Sequence, residues 1–198
     1  MVKLVLISGS LRRGSMNSAM IRAAQRVAVR NPQVEAALIL PLHDFPPFDE
    51  DVEMAGDPPP ISLAKLSVAD ADGILIATPE YNGAMSGVLK NAIDWLSRPW
   101  GNSPMTAKPV VTMSAAPGSR GGRKAQAVLR PVLQELGADV VPHDLVAVSG
   151  AGDLFDATGE VSDRAVLAQV AVLVSALVAR CMEVRSPVGA SPSVRHSS

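Results

Sequence analysis

At 198 residues, 47% hydrophobic and 19% charged with a formal net charge of -1, the chain is long enough to bury roughly 70% of the surface that its unfolded form exposes. It has no bulk attraction for nucleic acid or anionic lipid. Its single cysteine, Cys181, excludes an intrachain disulfide, and the first apolar run lacks the basic flank and small-residue cleavage site of a secretory signal, so a cytoplasmic protein is expected.

Short apolar runs rich in β-formers predict five strands, at Leu4 to Ile7, Val34 to Leu40, Ile74 to Ala77, Val110 to Met113 and Val140 to Val148. The last is interrupted by Pro142, His143 and Asp144. Between the strands run helical stripes: Met20, Ile21, Ala24, Val27 and Ala28; a weaker one over Ile61 to Ala69; Leu89, Ala92, Ile93 and Leu96; and Ala125, Val128, Leu129, Val132, Leu133 and Leu136. A final helix is predicted over Ser162 to Glu183. Its core, Leu167 to Met182, is broken by Gln169, Ser175 and Arg180 and falls short of the ~20 residues that span a bilayer, so a core helix is expected there rather than a membrane span. Asn17 is placed as the cap of the first helix, Gly137 as the end of the fourth stripe, and Pro131 is expected to kink or split that stripe.

Strict alternation of strand and helix requires right-handed crossovers between parallel neighbours. The expected fold class is therefore α/β: a flavodoxin-like, doubly wound, five-stranded parallel sheet of order 2-1-3-4-5 with helices on both faces. One domain is expected over residues 1–185, followed by a disordered Ser- and Pro-rich tail at 186–198. Residues 41 to 60, with six prolines and six acidic residues, read as irregular, either a solvated acidic loop or a rim for a ligand site or subunit contact. Core packing and subunit contact are both open for Trp95 and Trp100.

That strand order gathers the loops after strands 1, 3 and 4 at one sheet edge, the switch point where ligands bind. The first, residues 9 to 17, offers Ser10, Arg12, Arg13, Ser15 and Asn17 at a helix start, where free N–H groups and the positive dipole end favour an anion. It lacks the lysine of a triphosphate loop, and no G-x-G-x-x-G occurs, so a phosphate monoester is the better match, with plain turn and cap chemistry as the alternative. The second, Pro79-Glu80-Tyr81-Asn82-Gly83, contains the only tyrosine and can present stiff backbone groups to the rim of a planar heterocycle. Alone it is equally an ordinary turn. The third, Ser114 to Gly122, is small and Gly-rich, and Arg120 and Arg123 there suggest the phosphates of a second nucleotide. His43, His143 and His196 lack metal-ligand spacing, so no metal is expected, and no nucleophile elbow is present.

At these residues the chain resembles the NADPH-dependent FMN reductase family, flavodoxin-like proteins with a chromate and quinone reductase branch. The matching text is Gly9-Ser10-Leu11-Arg12 with Ser15 and Asn17; Pro79-Glu80-Tyr81-Asn82; Gly87 with Leu89-Lys90-Asn91-Ala92-Ile93-Asp94-Trp95 and Ser97-Arg98; and Lys108-Pro109 with Gly121-Gly122. The resemblance implies FMN held by its phosphate at Ser10, Arg12, Ser15, Met16 and Asn17, by its ring edge at Pro79, Glu80, Tyr81, Asn82 and Gly83, and flanked by Ser114 and Gly118. It implies NADPH or NADH as co-substrate, hydride transfer through flavin N5 without a catalytic side chain, and a small-molecule electron acceptor such as a quinone, azo compound, chromate or free flavin. A homodimer or homotetramer follows on the same ground. Two departures stand out: Met16 where members often carry Phe, and Ser86 where a proline is common, the latter expected to loosen the turn before Gly87. A flavodoxin-type electron carrier and a non-catalytic flavin- or nucleotide-binding module are the alternatives.

Overall fold

The computed structural model describes residues 1–150 and 154–186. Strands β1 (Val2–Ser8), β2 (Val34–Leu40), β3 (Gly73–Thr78) and β4 (Pro109–Ala115) are all parallel, and with β5 (Asp139–Val140) they lie in the order β2-β1-β3-β4-β5. The order 2-1-3-4-5 is the one expected. Helices α1 (Met16–Ala28) and α6 (Arg164–Arg185) cover one face; α3 (Pro59–Asp70), α4 (Gly87–Leu96) and α5 (Arg123–Glu135) cover the other. The period of two in the strands decides which side chain meets which layer. Leu4, Leu6, Leu75, Ala77, Val111 and Met113 point to α1 and α6, whereas Val5, Ile7, Ile74, Ile76 and Val110 point to the other three helices.

By length and composition α6 could cross a bilayer. It instead lies on β3 and β4 with Val166, Val170, Leu173, Val174, Leu177, Val178 and Cys181 buried, the i, i+4 spacing of a core-facing stripe. Burial pushes the Cys181 thiol up to about 12, so it is an inert packed group.

The fifth strand is split. β5 pairs with Pro109 and Val110, while a separate β6 (Val146–Val148) pairs with Met113 to Ala115 of the same β4. Pro142 has no N–H to continue the ladder. In the gap, the Thr112 N–H donates to Nε2 of His143 at 3.4 Å, and Nδ1 of the same ring sits 2.7 Å from the Asp144 carbonyl. The imidazole thus stands in for the missing strand acceptor, and burial lowers its pKa.

Pro131 does not divide α5, which runs unbroken through it. Pro131 and Ala127, whose carbonyl loses its partner, both lie on the exposed face, where that carbonyl is open to solvent. The helix ends at Gly137, φ +75°, with the Gly137 N–H on the Gln134 carbonyl and the Ala138 N–H on the Leu133 carbonyl, the paired bonds of a Schellman motif.

Residues 41 to 60 are more ordered than expected. They include a short helix, α2 (Glu50–Ala55), and form a strap across α4: Asn91 and Trp95 side chains donate to the Pro46 carbonyl, and the Phe48 N–H donates to Asn91. Arg98 pairs with Glu50 and Glu53 at 2.7 Å each. Trp95 is fully buried, its ring edge-on to Phe48, which assigns it to packing; Trp100 is exposed. Residues 187–198 of the expected tail, His196 among them, lie outside the described residues.

Candidate functional site

β1, β3 and β4 end level with one another, Ser8 pairing with Ala77 and Thr78 with Ser114. The three polar loops therefore meet at one sheet edge, as the strand order demands. Three cross-links lace this edge together, two between loops and one from a loop to the start of α5.

The first joins loop 9–17 to loop 114–122. Asn17 is not the helix cap, contrary to expectation. Ser15 is, its hydroxyl accepting the Ser18 N–H at 3.3 Å. Asn17 is the second residue of α1, buried, and its amide closes a two-bond ring with the backbone of Ala115: Nδ2 donates to the Ala115 carbonyl and Oδ1 accepts the Ala115 N–H, both at 2.9 Å. Both polar atoms of its side chain are engaged, and its backbone N–H is among those a helix start leaves without an intrahelical partner.

The second joins loop 9–17 to the end of loop 79–87. Ser86, buried, caps α4 by accepting the Leu89 N–H at 3.2 Å and donates its own proton to the Gly9 carbonyl. The hydroxyl brings two bonds of its own to the turn that was expected to loosen here. A hydroxyl bonds where a proline ring cannot, and it fastens the phosphate-type loop to the ring-type loop.

The third joins loop 79–83 to α5. Tyr81 and Ala84 exchange both backbone bonds at 3.0 Å around Asn82 (φ +53°) and Gly83 (φ +78°). This is the Asn-Gly hairpin in which both central residues need positive φ. Just before it, Glu80 Oε2 accepts the Lys124 N–H at 3.1 Å. Helix α5 needs that acceptor, because its own N-cap is Gly122, in the left-handed region at φ +86° and with no capping side chain.

Around these links the expected residues sort themselves. Ser10 organises its loop, its hydroxyl accepting the Arg12 N–H at 3.4 Å. Arg12 and Arg13 are exposed, and neither forms an ion pair among the described residues. Met16 opens α1, packed at the core edge, and no acidic residue lies in that first turn. The N–H groups of Met16 and Asn17 are among those a helix start leaves without intrahelical partners. Pro79 is buried; Tyr81 and Gly118 are exposed. Ser114 is fully buried and its hydroxyl donates to the Gly121 carbonyl at 2.6 Å while accepting from Gln126 at 2.8 Å. It supports the third loop from beneath and does not point to a ligand.

Gln126 was not singled out by the sequence pattern. It is wholly buried, ties Thr112, Ser114 and the Val146 carbonyl together, and so fixes the α5 start against β4 and β6. The available signal was a lone amide beside Ala125 in an otherwise apolar stripe. Ser86 and Glu80 carry structural roles that only the folded chain displays. Among the described residues no cluster of three His, Cys, Asp or Glu side chains comes together to hold a metal.

The arrangement can take an anion at the α1 start, where N–H groups and the dipole end follow a loop that carries exposed Arg12 and Arg13, and a flat polar edge at the hairpin beside it. A flavodoxin-like α/β oxidoreductase is the class that this fold and site define. Residues 2–153 match the model of the family described as NADPH-dependent FMN reductase. The chain belongs to that family and is an NAD(P)H-dependent oxidoreductase. It is 40% identical over 162 residues to an NAD(P)H-dependent FMN reductase of Pseudomonas aeruginosa, covering 82% of this chain and 85% of that protein. It is 35% identical over 159 residues to a quinone reductase of Pseudomonas putida, covering 80% and 84%. Among solved structures it resembles FerB, a flavoenzyme NAD(P)H:(acceptor) oxidoreductase of Paracoccus denitrificans, with TM-score 0.82 and 28% identity over 92% of this chain and 98% of that one.

Proposed function

We propose that the chain binds FMN at the laced edge and reduces quinones and similar acceptors with NADPH or NADH. The observation that carries the reading is the α1 start: N–H groups without intrahelical partners, no acidic residue in the first turn, and exposed Arg12 and Arg13 on the same loop. That donor set fits a phosphate monoester. Ser10, Arg12, Ser15, and the backbone of Met16 and Asn17 would hold the phosphate. Pro79, Glu80, Tyr81, Asn82 and Gly83 would face the ring edge, with Gly118 alongside and Ser114 supporting from below. Bound there, FMN supplies two-electron chemistry at N5, taking hydride from the nicotinamide and passing it to the acceptor.

The chain's own work is positional and electrostatic. The three cross-links hold the loops at fixed separation, so ring and phosphate are located without reorganisation of the backbone. Backbone N–H groups of the hairpin and the positive ends of α1 and α5 favour negative charge at this edge. Trp95 and Phe48 are committed to α4 and its strap, so neither serves as a lid over the ring. An open ring face suits several acceptor classes in turn with the nicotinamide.

The same reading extends to a single domain over residues 1–185, a cytoplasmic location and a homodimer or homotetramer. Met54, Leu63, Leu66 and Trp100 are large apolar side chains left exposed on α2, α3 and the turn after α4, and they support a subunit contact away from the ligand edge. Purified protein is expected to be yellow, to take up FMN on titration and to oxidise NADPH when menadione is added. Colourless protein that gains no flavin spectrum with FMN overturns the proposal. Bound FMN with no NADPH turnover points to an electron carrier instead.

A further inference from the structure

We propose that Glu80 is a positioning residue that clamps the ring loop to helix α5 and, through its charge, lowers the potential at which FMN bound at this edge is reduced. The inference rests on the FMN reading above.

Helix α5 cannot cap itself. A side chain at position 122 has no room, because a Cβ there would lie 2.7 Å from the Cβ of Ser114 and 2.9 Å from its hydroxyl. Ser114 is itself immobilised by Gly121 and Gln126. The backbone at Gly122 is also left-handed at φ +86°, where other residues are strained. The Arg120 carbonyl takes the Arg123 N–H at 3.1 Å, and the Glu80 carboxylate takes the next, that of Lys124, at 3.1 Å. Glu80 lies directly between Pro79 and the Asn82-Gly83 hairpin, so the cap makes the ring loop and the third loop move as one body.

The capping group is charged, and it makes no ion pair among the described residues. Its negative charge faces the positive end of α5, which it partly cancels, with the Lys124 side chain alongside the same hairpin. Two-electron reduction of a flavin adds negative charge to the ring system. A carboxylate held at the ring loop opposes that gain and uses up part of the α5 dipole that would otherwise favour it. Geometry and charge are separable, because glutamine keeps the acceptor and drops the charge.

The test compares wild type with Glu80→Gln and Glu80→Ala. In the protein without flavin, hydrogen exchange at the Lys124 amide is expected to accelerate about tenfold or more in Glu80→Ala and to stay near wild type in Glu80→Gln. With FMN loaded, the midpoint potential is expected to move to more positive values in both variants, while FMN affinity falls about tenfold in Glu80→Ala only. Unchanged exchange at Lys124 in Glu80→Ala overturns the clamp. A Glu80→Gln potential equal to wild type overturns the charge effect. Wild-type protein that takes up no FMN overturns the FMN reading, and that outcome is distinct because the exchange measurement needs no flavin.

Discussion

Replacing Asn17 by alanine should separate the structural from the ligand-binding side of the site. The amide makes two bonds to one backbone residue, Ala115, at 2.9 Å each, and both partners are buried. Truncation strands a buried N–H and a buried carbonyl, each worth about 1–3 kcal/mol when left unsatisfied. The expected loss of about 2–6 kcal/mol is a large part of the ~5–15 kcal/mol that holds a typical domain together. Urea denaturation of Asn17→Ala should show it as a lower midpoint at unchanged slope. Asn17→Asp sharpens the argument. Aspartate still accepts from the Ala115 N–H but turns its second oxygen on the Ala115 carbonyl, so the native state favours the protonated acid. A folded pKa above the unfolded value means the folded protein binds more protons. The Asn17→Asp penalty should therefore be largest at neutral pH and shrink as pH falls toward the ordinary aspartate value of ~4. A loss below about 0.5 kcal/mol in Asn17→Ala, the range of a neutral surface change, refutes the bridge.

Arg12→Ala and Ser15→Ala should each weaken FMN by about 1–3 kcal/mol through lost charge-assisted or hydroxyl bonds, read by fluorescence titration; unchanged affinity in both moves the phosphate elsewhere. Ser86→Ala should lose both the α4 cap and the tie to Gly9, lowering stability by ~1 kcal/mol or more and weakening FMN, with Ser86→Thr restoring both. Gly122→Ala places a Cβ 2.7 Å from Ser114 at φ +86° and should destabilise by about 1–3 kcal/mol in thermal melts. For His143, burial lowers the folded pKa, so the unfolded chain binds more protons below the ordinary value of ~6.5. Stability should fall as pH drops through that value, and urea midpoints of wild type should show a steeper acid loss than those of His143→Gln; parallel pH profiles refute the assignment.

Periodicity alone was enough for the layers. The short apolar runs at β1 and β3, the stripes on α1, α4 and α5, and the Asn-Gly pair at 82–83 are local patterns whose geometry is set by neighbours a few residues away. Family-specific text added the cofactor class at the same level. The partners of Asn17, Ser86, Glu80 and Gln126 were not legible, because each bonds a residue between 12 and 98 positions distant, and nothing in local spacing encodes such a meeting. The same holds for the strap, where proline and acid content suggested a solvated loop until Asn91, Trp95 and Arg98 supplied donors for it.

By itself the sequence determined five alternating strand and helix units, which match the flavodoxin-like 2-1-3-4-5 order and so place three polar loops at one sheet edge. Only the tertiary structure decided that those loops are laced through Asn17 to Ala115, Ser86 to Gly9 and Glu80 to Lys124. The physical reason is that a buried polar group must find a partner wherever the fold provides one, and the place is known only once the chain has closed on itself.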